Sequence, residues 1–338
     1  MRITNHMKKL LKSILKPVLR RYGYVIMRSD SLYGPQKESP TRRIHELKLP
    51  EGAEHYLQPD NKRLKELYAR YALCDKNVTT PIVWTDGHVK PDDIKYFRGD
   101  NAYVWQLRGA NMNVPGYAMA TYYVKTIDTS GFLEKLREDD YFGIITYFID
   151  NKIVSRDLLD SIMEIYFLEK HLQISSFNEL TILDIGAGYG RLAYRMLNVF
   201  PSIRYYLCTD AIAASTFVCE YYLAYRRIEN KAKVIPLDEI ENTLKTQKVD
   251  IAINIHSFSE CRVTAIEWWL SLLEKNRVKY LMIVPNSQDR LLTSDHQDFQ
   301  LIIEKHGFKL IAEEPKYLDP VVQKYAMSPA YHYLFERK

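Results

Sequence analysis

An aspartate followed by three glycines at alternate positions is the arrangement in this chain best suited to chemistry: Asp184-Ile-Gly186-Ala-Gly188-Tyr-Gly190. Glycine has no Cβ, so such a loop lets a ligand lie against bare main chain. A dinucleotide loop follows G-x-G-x-x-G, whose third glycine allows close helix–strand packing; that position is Arg191 here. A phosphate-binding loop needs G-x-x-x-x-G-K-[ST], and no Lys-Ser or Lys-Thr follows. The loop therefore suits a ligand held without a pyrophosphate. A second carboxylate, Asp210, ends the stretch "IRYYLCTD". At a strand end it can accept both hydroxyls of a ribose.

The pattern D-x-G-x-G-x-G resembles motif I of the class I S-adenosylmethionine-dependent methyltransferases. That likeness implies that Gly186, Gly188 and Gly190 receive the amino-acid end of the cofactor at a helix N-terminus, which favours a carboxylate. It implies that Asp184 helps hold the ammonium side. It also places a polar residue near Asp238 against adenine, although Asp238 is equally suited to capping a helix. Two other readings stay open. One is an NAD-dependent enzyme acting on nucleotide sugars, which Arg191 disfavours; the other is a binding protein that keeps the fold without the chemistry.

Methyl transfer from a sulfonium is an in-line displacement, and a hydroxyl acceptor must also lose a proton. His256 ends the strand "DIAINI", on the side of such a sheet where ligands bind. A histidine with an ordinary pKa of about 6.5 can act as a base at neutral pH; a structural bond to a loop carbonyl is the alternative. His296 is the second candidate base. Glu260 follows Ser257 in an S-x-x-E capping-box pattern, or serves as a substrate carboxylate. Asn286, Asp295 and Asp298 cluster after the fifth strand, where Asp295 and Asp298 could contact substrate hydroxyls, hold a divalent ion, or cap a helix. No [DNS]-P-P-[YFW] sequence follows the fourth strand, which disfavours methylation of a nucleic-acid amine.

A narrower resemblance rests on "VSRDLLDSIMEIYFLEKHL", "INIHSFSECRVTAIEWW", "YLMIVPN" and "EEPKYLDPVVQKY". These segments are similar to a bacterial sugar O-methyltransferase family associated with surface-polysaccharide gene clusters, over roughly residues 95–338. The resemblance implies a sugar or glycan acceptor, in one form lipid-linked. It implies a cap before the sheet domain, with Trp105, Arg108, Tyr117 and Tyr122 as stacking or polar contacts.

These residues need a scaffold. From residue 180 onward, apolar β-branched runs alternate with amphipathic stretches. Strands are expected at 180–185, 203–209, 233–237, 249–256, 278–285, 308–314 and 330–336, with helices at 190–199, 212–227, 239–245, 259–275 and 297–306. Runs such as "DIAINI" and "YLMIV" are apolar on both faces, as parallel strands covered on both sides must be. The expectation is a doubly wound, seven-stranded, mostly parallel α/β sheet with an antiparallel last strand, Rossmann-like, preceded by a mainly helical cap. A strand at 144–149, a turn at Asp150-Asn151 and a helix capped by Ser155 lead into it. The domains expected are a basic arm at 1–28, a cap at 29–150 and a cofactor-binding domain at 151–338.

The bulk numbers agree. The 338 residues are 46% apolar, enough for a sizeable core, and the net charge of +5 is mild. That charge is read as excluding nucleic acid, whose binders usually carry a concentrated basic face. The 26 tyrosines suit stacking on sugar or base faces, or stand in for phenylalanine in half-buried positions. Cys74, Cys208, Cys219 and Cys261 lack metal or disulfide spacing, which suggests reduced thiols in the cytoplasm. No stretch approaches the roughly 20 apolar residues of a membrane-spanning helix. Residues 1–28 combine eight Lys and Arg with leucines at helical spacing, interrupted by Pro17. They read as an amphipathic helix on an anionic membrane face or docked on the protein itself.

Overall fold

The computed structural model describes residues 42–338 apart from 86, 287 and 288, together with 15, 17–19, 21 and 22. The basic arm expected at 1–28 thus lies largely outside the described residues; 15, 17–19 and 21 are helical. Residues 1–42 form one unit and 43–338 another. Among the described residues no helix is long and apolar enough to cross a membrane.

In the larger unit, the strands that follow one another from Leu180 build a seven-stranded sheet. They are β4 (Leu180–Ile185), β5 (Ile203–Thr209), β6 (Ala232–Val234), β7 (Ile251–Ile255), β8 (Tyr280–Val284), β9 (Phe308–Pro315) and β10 (Tyr331–Arg337). Their spatial order is β6-β5-β4-β7-β8-β10-β9. The first five are parallel, and β10 runs antiparallel to both β8 and β9. This is the expected doubly wound, Rossmann-like architecture with its antiparallel ending. β4 is buried at every position and β7 at all but its last, because helices cover both faces. The chain leaves β4 toward β5 on one side and later returns to β7 on the other. A crevice opens above the carboxyl ends of such neighbours.

The helices take the places their apolar periodicity assigns: α3 (Arg156–Leu172), α4 (Arg191–Val199), α5 (Ala213–Tyr225), α6 (Ile240–Thr246), α7 (Val263–Lys275) and α8 (Gln300–Lys305). Ser155 caps α3, its Oγ accepting from the Leu158 N–H at 3.0 Å. The expected single helix from 259 divides, with a separate turn at Ser257–Glu260 ahead of α7.

The segment before the sheet is helical in pieces, including α1 (Lys62–Tyr71) and α2 (Val114–Ile127). β1 (Arg42–His45), β2 (Ile145–Ile149) and β3 (Lys152–Ser155) make a small second sheet in that order. The hairpin β2–β3 extends the strand expected at 144–149 by a partner the sequence pattern did not show. Leu64, Leu67, Phe97 and Phe142 from this segment belong to the same buried cluster as Ile182, Phe217 and Ile253 of the sheet layers. Arg63 forks onto Glu220 of α5 at 2.6 and 3.0 Å, and Tyr71 joins Thr216 of α5 at 2.8 Å.

Candidate functional site

The crevice above β4 and β7 holds a cavity of about 610 Å³. The glycine loop forms its floor, and each glycine is required for a different reason. All three have left-handed backbone, with φ of +74° at Gly186, +58° at Gly188 and +85° at Gly190. A Cβ on Gly186 would stand 2.2 Å from the Ser257 Cβ, so the loop and the turn after β7 touch directly. A Cβ on Gly190 would meet Leu223 of α5 at 2.9 Å. Above Gly188 there is nothing within 4 Å. Gly186 and Gly188 line the cavity, whereas Gly190 packs the start of α4 against α5.

Two carboxylates frame the loop. Asp210 accepts from the Gly188 N–H at 3.1 Å and from the Ile212 N–H at 2.8 Å. Asp184 accepts from the Tyr206 hydroxyl at 2.9 Å. Burial pushes both acids up to about 7, since neither has a cation bonded to it among the described residues. Asn254, fully buried, ties the two strand ends together: its amide donates to the Ile185 carbonyl at 2.9 Å, and its oxygen accepts from the Phe258 N–H at 2.8 Å. Tyr189, inside the loop, donates its hydroxyl to Asp157.

His256 closes β7 in a left-handed conformation (φ +67°) that non-glycine residues seldom adopt and that marks stored strain. Its N–H continues the ladder to the Val284 carbonyl at 2.7 Å. Its ring lines the cavity, and Nδ1 is shut from solvent without a partner among the described residues. Burial first, and then the nearby Arg156, push the imidazole down to about 3, so it is neutral at pH 7.

Glu260 lies in the cavity too, but not as a helix cap. Its carboxylate accepts from the Trp84 indole at 2.5 Å and from the Asn286 amide at 3.0 Å, and burial raises its pKa. The capping-box expectation fails because Ser257–Glu260 is a separate turn and α7 starts after Arg262. Arg108 also reaches the cavity wall, half-exposed, bonded to the Asn101 carbonyl at 2.8 Å and lying over the Trp105 ring.

Other sequence candidates stand elsewhere. Tyr117 is fully buried, stacked on Tyr147 at 4.0 Å and bonded to the Gln106 carbonyl at 3.0 Å; it is core. Asp238 is gripped by Arg70 through two bonds of 2.8 Å and does not line the cavity. His296 is exposed on a turn away from the cavity, and Asp295 beside it accepts from Thr293. Tyr122 is exposed on α2 beside Lys125. Among the described residues no three His, Cys, Asp or Glu are grouped to hold a metal ion. Sequence reasoning missed Trp84, Tyr189, Asn254, Arg156, Asp160, Lys316 and His332. Their positions span residues 84–332, and no local spacing joins them.

No family model matches the chain, and no curated protein matches it. Solved structures do. A Streptococcus pneumoniae protein, a candidate tRNA (m1A22) methyltransferase, shares 13% identity over 52% of this chain and 69% of its own, with a TM-score of 0.36. M. capricolum TrmK, solved with S-adenosylhomocysteine, shares 14% over 49% and 66%, at 0.33. A SAM-dependent methyltransferase from Aquifex aeolicus shares 17% over 53% and 98%, at 0.37. The present chain therefore spans about two thirds of the first two. The fold reading rests on the strand order above. One expectation is corrected: the mild net charge does not decide against nucleic acid as a partner, and structures named for tRNA and RNA methylation are among the matches.

Proposed function

We propose that the chain is an S-adenosylmethionine-dependent methyltransferase that methylates a sugar hydroxyl, in a glycan of the cell surface as the sequence resemblance implies. The observation that carries this reading is the open backbone at Gly188 beside the Asp210 carboxylate, with the His256 imidazole lining the same cavity. The cofactor, when bound, supplies an electrophilic methyl group on a sulfonium.

This chain's residues do the rest. The Gly186–Gly188 main chain gives the amino-acid end a surface without side chains. Asp210, placed one strand over, is suited to the ribose hydroxyls, and Asp184 to the ammonium side. The neutral His256 imidazole would take the acceptor's hydroxyl proton, the cofactor supplying the methyl group to that oxygen. Trp84, Trp105 and Arg108 offer stacking and polar contacts to a sugar face.

Calorimetric titration of the full chain with S-adenosylhomocysteine, and with NAD, tests the first half. Binding of the former alone is expected; no affinity for it would end the reading. Radiolabelled methyl transfer to a panel of glycans, nucleotide sugars and RNA tests the second. Label found only on base nitrogens would overturn the hydroxyl assignment.

A further inference from the structure

One end of the cavity, next to His256, carries charges that methyl transfer as described does not use. Lys316, just after β9, is only 4% exposed. It donates to Asp160 at 2.6 Å and to the Ser328 carbonyl at 2.7 Å, leaving one of its three N–H groups without a protein acceptor among the described residues. Arg156 opens α3. Its Nε donates to the other Asp160 oxygen at 3.1 Å and one terminal nitrogen to the Trp105 carbonyl at 2.7 Å; the second terminal nitrogen has no protein partner among the described residues. One carboxylate thus serves two cations. Arg191, on the same wall, is matched by Glu164 through bonds of 2.8 and 2.9 Å. Asp157 is occupied by Tyr189, Gln106 and Arg98. Arg156 and Lys316 therefore share a single bonded carboxylate, while Asp184, a further acid on the cavity wall, is bonded to Tyr206. The imidazoles that share the wall, His256 and His332, are held neutral by burial and by these cations. An uncompensated positive charge in a buried corner is costly unless a ligand completes it.

We propose that this corner recognises a carboxylate on the acceptor, seated between Arg156 and Lys316. The inference rests on the methyltransferase reading and narrows its acceptor to an acidic sugar. One excess positive charge matches a monoanion. A phosphate monoester carries about −1.5 to −2 at pH 7 and would overfill the corner. A phosphodiester continues as chain on both sides, whereas a carboxylate is terminal and fits a corner floored by a nearly inaccessible lysine. The seated anion also offsets the positive field at His256, so the imidazole accepts the hydroxyl proton more readily once an acidic acceptor is present.

The test uses the full chain saturated with S-adenosylhomocysteine and titrated with D-glucuronate, methyl glucoside and glucose 6-phosphate. Glucuronate is expected to bind at least tenfold more tightly than either other probe. Arg156→Gln and Lys316→Met should erase that preference while changing affinity for S-adenosylhomocysteine less than threefold. Equal binding of glucuronate and glucoside by the unsubstituted protein would overturn the proposal without needing any variant to fold, and so would tighter binding of the phosphate. If either substitution weakens S-adenosylhomocysteine while sparing 5′-methylthioadenosine, which lacks the amino-acid end, the corner holds the cofactor's own carboxylate and the proposal falls. RNA methylation that proceeds equally in all three proteins would likewise sink it. Failure to bind S-adenosylhomocysteine at all would instead remove the methyltransferase reading beneath it.

Discussion

Gly186 and Gly188 differ by two positions in the chain and by a large margin in what a methyl group would cost. Alanine at Gly186 must find room where Ser257 already stands, on a left-handed backbone, and should destabilise the protein by about 2–4 kcal/mol. Alanine at Gly188 meets open space and should cost about 1 kcal/mol, while impairing cofactor affinity. Denaturant midpoints in the two variants check the ranking. Asp184 and Asp210, pushed up to about 7, keep protons in the folded protein that the unfolded chain releases above about pH 4. The native state then binds more protons between about pH 4 and 7, so their contribution to stability falls as pH rises through that window. Cofactor groups that favour the ionised acids reverse the preference on binding. Affinity for S-adenosylhomocysteine should be about tenfold or more weaker at pH 5.5 than at pH 8. Asp210→Asn should flatten that profile, read by calorimetry. His256→Gln should lower turnover by about 10²- to 10⁴-fold with binding of S-adenosylhomocysteine retained.

The glycine loop keeps its shape because elements on either side hold it. Arg191, the residue that breaks the dinucleotide pattern, opens α4 and reaches across to Glu164 of α3 with both terminal nitrogens. It thereby joins the helix before β4 to the helix after it, directly beside the loop. Glu164→Ala would leave a buried guanidinium without its carboxylate and should cost about 3–5 kcal/mol. Pairing it with Arg191→Met should recover most of that loss, because an unpaired charge costs more than an apolar replacement for the pair. Thermal unfolding of the single and double variants measures the difference. Tyr189 adds a second anchor through Asp157, itself held by Gln106 and Arg98. The segment before the sheet thus positions the loop as well as walling the cavity.

Residues 43–338 share one buried core, with side chains from before the sheet and from the sheet in the same cluster. These residues should therefore unfold in a single transition in the full protein. A chain trimmed to 143–338 should be insoluble, since α5 would lose Arg63, Tyr71 and the apolar face of α1. Scanning calorimetry of the full protein and the solubility of the trimmed chain check these outcomes.

The sequence alone determined the sheet, because strand and helix periods are local and β4, β5, β7 and β8 read as apolar runs whichever neighbours they find. It also determined the positions of Asp184, Gly186, Gly188 and Asp210, which the loop and the adjacent strand end bring together through short connections. Only the tertiary structure decided which acids remained in the cavity. Asp238 follows its strand as Asp210 does, yet Arg70, 168 positions earlier, binds it. Tyr117 looked like a stacking surface and became core. The corner of Arg156, Asp160 and Lys316 was invisible in the chain because Asp160 and Lys316 lie 156 residues apart. Spacing records what one segment can do by itself, whereas a buried ion cluster depends on which segments the core forces into contact.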